Sequence, residues 1–188
     1  MWGKLQHLIS MDFRQNYFEL FQVPVSFTVD LPLIQLRYQE LQKTLHPDRH
    51  AASGAQQQRL ALQYATRVNE GLATLKSPLK RAMYLLELAG MPLNSESETT
   101  RDTGFLMQQM EWREALSDAE GAIDPFPALD AVRHDVEAAQ KLLVDRFVAA
   151  YEEGGEVALS QAKEYVRQMQ FMHKLLAEID AIEARLDD

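Results

Sequence analysis

The chain is 188 residues long, 46% hydrophobic and 25% charged, the composition of a globular protein rather than a disordered or fibrous one. It has no cysteine, which excludes a disulfide framework, a thiolate metal site and a cysteine nucleophile, and points to a reducing compartment. The net charge of -9 is uneven: residues 1–89 carry 10 Lys and Arg against 7 Asp and Glu, or +3, and residues 90–188 carry 9 against 21, or -12.

Taken in order, residues 1–15 are expected to be an N-terminal extension, and Asn16 to Phe21 a short aromatic turn of helix that ends before Pro24. Asp30 is placed to cap a helix holding Pro32 in its first turn, with Ile34, Tyr38, Leu41 and Leu45 in one apolar stripe. Pro47 ends it. A longer helix is expected over 55–75, with Ala61, Tyr64, Ala65, Val68, Leu72 and Leu75 facing the first stripe, so that the two form a hairpin. Ser77-Pro78 starts a further helix that stops at Gly90 and Pro92.

Residues 90–101 have the composition of a linker. Beyond it, helices are expected over about 102–119, 125–153 and 156–186. Their stripes are Phe105, Trp112, Leu116 and Ala119; Leu129, Val132, Val136, Leu143, Phe147 and Ala150; and Ala162, Val166, Met169, Leu176 and Ile179. The expected fold is all-α, a helical hairpin unit over 16–89 followed by an antiparallel three-helix bundle over 102–188.

Function classes narrow quickly. No apolar run approaches the roughly 20 residues of a membrane span, and Met1 to Ser10 lacks a signal-peptide core, so a cytoplasmic protein without membrane attachment is expected. A +3 excess spread over 89 residues is no phosphate-binding surface, and the acidic remainder repels nucleic acid. His46 with Asp48 resembles an acid–base pair, and His46 with His50 has metal-ligand spacing on a helix. Pro47 breaks that helix, and no third ligand lies nearby. No phosphate loop or hydrolase motif occurs, so neither a catalytic site, a metal nor a cofactor is expected.

The loop is better read as a docking element. Pro47 fixes its backbone, Asp48 offers a carboxylate to a partner arginine, and Arg37, Lys43 and Arg49 make a basic approach. On the helix from Asp102, at 100° per residue, Leu106, Met107 and Met110 fall opposite the core stripe, with Glu111 and Glu114 beside them. An apolar patch rimmed with carboxylates is the anatomy of a protein-binding surface. Phe171, about 200° around from Met169, also falls off the core stripe of its helix.

His46-Pro47-Asp48 in the loop of a helical hairpin, behind Tyr17-Phe18-Glu19-Leu20-Phe21, resembles the J-domain of DnaJ-type co-chaperones. With Asn69, Leu72, Thr74-Leu75, Pro78, Arg81 to Leu86, Arg101-Asp102-Thr103 and Phe105-Leu106-Met107, the chain from about Asn16 onward resembles the HscB family of bacterial iron–sulfur cluster assembly. The resemblance implies a J-domain that stimulates the ATPase of a DnaK-like chaperone, HscA, through His46, Pro47 and Asp48. It also implies a bundle that holds the cluster scaffold IscU through the positions of Leu106, Met107, Met110, Glu111, Glu114 and Phe171. A J-domain co-chaperone serving a different client is the alternative. Arg49 stands where the family usually has lysine, Leu45 where an aromatic is common, and Met110 where leucine is usual.

Overall fold

A computed structural model describes residues 13–45, 54–93, 100 and 102–187. Seven helices are present among them: α1 Tyr17–Leu20, α2 Leu31–Leu45, α3 Ala55–Lys76, α4 Pro78–Leu88, α5 Thr103–Glu120, α6 Pro125–Glu153 and α7 Gly155–Asp187. No strand occurs among the described residues, and no helix there is long and apolar enough to cross a membrane. The chain divides into two compact units between Leu85 and Leu86, inside α4 and ahead of the 90–101 stretch. Residues 94–99 and 101 of that stretch lie outside the described residues.

In the first unit, α1 is short enough to need help at both ends. Asn16 supplies a capping box: its Oδ1 accepts from the Glu19 N–H at 2.9 Å, and Glu19 Oε2 accepts from the Asn16 N–H at 2.8 Å. At the other end Gln22 takes φ 54°, and the Gln22 and Val23 N–H groups return to the Glu19 and Phe18 carbonyls at 3.1 and 3.0 Å. That is the Schellman arrangement, made here without a glycine. The turn buries Phe18 and Phe21 completely and lays α1 on α3.

Gly71 permits that approach. A Cβ there would lie 2.9 Å from Tyr17 Cδ1 and 3.0 Å from Phe21 Cε2. Asp30 caps α2 as expected, accepting from the Leu33 N–H at 2.9 Å. Ile34 and Leu45 are buried against α3, while Tyr38 and Leu41 are half-buried. On the facing side Ala61, Tyr64, Val68 and Leu75 are buried, and Ala65 and Leu72 half-buried. Asn69 Oδ1 accepts from both Tyr38 Oη and Gln42 Nε2 at 3.0 Å, which sets the register of the hairpin.

Ser77 starts α4 by accepting from the Lys80 N–H at 3.3 Å. Gly90, at φ 76°, closes it, with Gly90 and Met91 N–H groups bound to the Glu87 and Leu86 carbonyls. Arg81 is 6% exposed; its Nε donates to the Leu75 carbonyl at 2.9 Å and its Nη1 to the Phe27 carbonyl, with the guanidinium 5.0 Å from the Phe27 ring. Burial pushes its pKa below the ordinary arginine value. The side chain thus ties the end of α3 and the 22–30 loop to α4.

The second unit is an antiparallel three-helix bundle. Arg113 pairs with Glu178 and Arg185 with Glu120 at 2.6 Å, so α5 and α7 run in the same direction. Between them α6 runs back, held by Trp112 Nε1 on Asp135 at 2.7 Å and by Arg133 on Asp180 and Glu183 at 2.7 and 2.6 Å. The reversal into α7 uses two glycines with positive φ, Gly154 at 69° and Gly155 at 77°, which a side chain would disfavour.

The expected core stripes of α5 and α6 are buried residue for residue. On α7 one expectation is corrected: Leu176 is only half-buried, whereas Leu175 is fully buried and Met172 nearly so. This helix packs on both α6 and α5, so its buried sector is wider than a single stripe. Asp124 occupies the N-cap position of α6, but its side chain makes no capping hydrogen bond.

Candidate functional site

Two surfaces are at issue. On the first unit, Leu45 closes α2 in the core, 4% exposed. His46, Pro47, Asp48 and Arg49, the expected docking residues, lie outside the described residues. Of their basic neighbours, Lys43 is exposed in the last turn of α2, while Arg37 is half-buried and bonded to Glu40 at 3.0 Å, one turn on. Arg37 is thus already engaged by Glu40, and Lys43 is the more exposed of the two.

The second surface lies on α5. Its geometry follows from two N-terminal ties that fix where the helix starts. Asp102 Oδ1 accepts from the Phe105 N–H at 3.1 Å, and its Oδ2 accepts from Gln168 Nε2 of α7 at 3.2 Å. Thr100 donates to Glu164 of α7 and accepts from the Asp102 N–H at 3.2 Å. With Phe105, Trp112, Leu116 and Ala119 then turned inward, the opposite face is turned out.

Met107 is 66% exposed and Met110 72%, with Leu106 half-buried beside them. These exposures rule out burial of both faces within the bundle. Glu111 and Glu114 are exposed on the same face, with Glu111 accepting from Gln108 at 3.0 Å, and Asp118 extends the carboxylate rim by a further turn. Asp118 was legible from the same 100° arithmetic, carried one turn further.

Phe171 sits differently. Its ring is half-buried, stacked on Trp112 with centroids 6.4 Å apart and edge-on to Phe105 at 5.9 Å. The Arg113 guanidinium lies 5.7 Å from its centroid. It is off the deepest stripe of α7, yet it is built into the aromatic cluster on which α5 rests. The structure brings together five of the six residues expected at this surface on one face of α5 and attaches the sixth through Trp112 and Arg113.

No group of three potential metal ligands occurs among the described residues. An exposed, flexible thioether pair ringed by carboxylates suits contact with another macromolecule, for methionine adapts its shape to what covers it.

Solved structures with this architecture define the class. The chain aligns with chaperone HscB from Vibrio cholerae at a TM-score of 0.80 and 35% identity, covering 92% of this chain and 99% of that one. Human co-chaperone protein HscB aligns at 0.83 and 29% identity, over 92% of this chain and 84% of that one. The fold is that of an all-helical co-chaperone.

Sequence comparison narrows this. The HscB co-chaperone homologue of Shewanella denitrificans is 44% identical over 173 residues, 92% of this chain and 99% of the relative, and that of Pseudoalteromonas atlantica is 43% identical over the same shares. Residues 101–180 match the family model described as the HSCB C-terminal oligomerisation domain. The chain belongs to the HscB family of co-chaperones.

Proposed function

We propose that residues 16–89 form a J-domain that docks on a DnaK-like ATPase chaperone, HscA, and stimulates its ATP hydrolysis. The bundle of 102–188, joined through 90–101, brings the iron–sulfur scaffold IscU to that chaperone in the cytoplasm. The chain has no catalytic site or cofactor in this reading; it acts by holding two proteins.

The observation that supports it most is the exposed Met107–Met110 pair on a helix whose other face is fully committed to the core. Leaving two large apolar side chains in water on a helix capped and tied at its start is unfavourable unless a partner covers them. The charge division agrees: a +3 first part suits an acidic chaperone surface, and the -12 remainder suits a client that is basic around its apolar contact.

The test is a steady-state ATPase assay of HscA with this protein, with and without IscU. Stimulation by the chain alone, rising further with IscU, is expected. Asp48→Asn should abolish stimulation and leave the helical circular dichroism spectrum unchanged. Undiminished stimulation by that variant would refute the docking assignment of the loop. Stimulation that ignores IscU but responds to another protein would instead identify a co-chaperone of a different client.

A further inference from the structure

Arg113 is the single basic residue of α5, and it occupies an unusual position for a surface cation. One helical turn beyond Met110, it falls on the same file as Leu106 and Met110, within about 60° of Met110 on an ideal helix. The flanking rim is all carboxylate: Glu111, Glu114 and Asp118 on α5. Its guanidinium is held from two sides, by the Phe171 ring and by the Glu178 carboxylate, both of α7.

An isolated surface ion pair has little energetic consequence, because holding two long side chains in one geometry offsets the Coulomb gain in water. Here the ordering is already done in the free protein. The ring supplies a cation–π contact and the carboxylate an ion pair. A guanidinium carries five N–H donors, and the bond to Glu178 is made through Nη1 alone. The side chain remains 48% exposed, so donors stay accessible to whatever covers Met110. A partner that meets this cation loses little further side-chain entropy in binding it.

We propose that Arg113 is a specificity-determining residue of this surface, taking a carboxylate side chain of the protein that docks over Met107 and Met110. This rests on the reading that the scaffold docks there. A client that is basic throughout its contact face would match the glutamate rim but meet a like charge at Arg113, against the apolar centre where repulsion is least screened. One carboxylate among its basic residues would turn that repulsion into a planar, charge-assisted hydrogen bond. The rim therefore selects for charge in general, and Arg113 for one acid at one place.

The test uses the full-length protein and IscU in titration calorimetry, with Arg113→Met, Arg113→Glu and Met110→Ala. Arg113→Met keeps an apolar cover over Phe171 and removes the donors, so packing is retained. It should weaken binding about tenfold with an unchanged melting temperature, and Arg113→Glu should weaken it further. Binding by Arg113→Met within twofold of the parent, with Met110→Ala still impaired, would overturn the proposal and leave the docking face standing. If Met110→Ala is also unimpaired, the docking face itself is wrong and the proposal falls with it.

Discussion

Truncating the exposed methionines of α5 separates binding from folding more sharply than any other change in this chain. Full burial of a methionine is worth about 1.5–3 kcal/mol, and with Met107 66% and Met110 72% exposed in the free protein, most of that gain is still available to a partner. Met107→Ala and Met110→Ala should each lose about 1–2 kcal/mol of scaffold affinity, roughly 5- to 30-fold in Kd. The two lie on adjacent turns and share whatever pocket receives them, so the double variant should lose less than the sum, about 1.5–3 kcal/mol.

Stability should barely move. Alanine is at least as good a helix former as methionine, and exposed substitutions of this kind stay within about 0.5 kcal/mol. The core control, Leu129→Ala at a fully buried position of α6, should instead lose about 2–5 kcal/mol of stability. Titration calorimetry with IscU reads the first quantity and thermal melting by circular dichroism the second. A double variant that binds within threefold of the parent, or one that melts as early as the core control, would refute the assignment of this face.

Two further predictions concern the first unit. Arg81→Met keeps the buried stem but leaves the Leu75 and Phe27 carbonyls without their donor, and should destabilise that unit by about 2–4 kcal/mol in urea denaturation. Gly71→Ala pits about 1 kcal/mol of gained helix propensity against a Cβ driven into two rings that cannot easily yield, since Tyr17 packs against the tilted Tyr84 ring at 4.7 Å and Phe21 is fully buried. A net loss of about 1–2 kcal/mol is expected, and a gain measured in the same assay would show that α1 can shift away from α3.

Much of this protein is legible in its sequence because most of its order is local. Capping residues, proline positions and the 3.6-residue period act within one helix, so Asp30, Ser77 and Gly90 mark their termini, and the α5 and α6 stripes are buried as spacing predicts. The same arithmetic turns Met107 and Met110 outward without reference to any other helix. What spacing within a helix cannot carry is which neighbours a face meets. Leu175 and Met172 displace Leu176 from the core because α7 is covered from two sides.

Phe171 reads from sequence as an aromatic off its stripe, and only the approach of α5 joins it to Trp112 and sets Arg113 over its ring. Burial of Arg81 and the closeness of α1 to Gly71 are likewise decided between elements distant in sequence. Sequence alone thus determined the helices, the inner and outer faces of α5 and α6 and the division of charge. The tertiary structure decided which outer side chains stand free and which are held in place, since a side chain's surroundings depend on helices that meet only after folding.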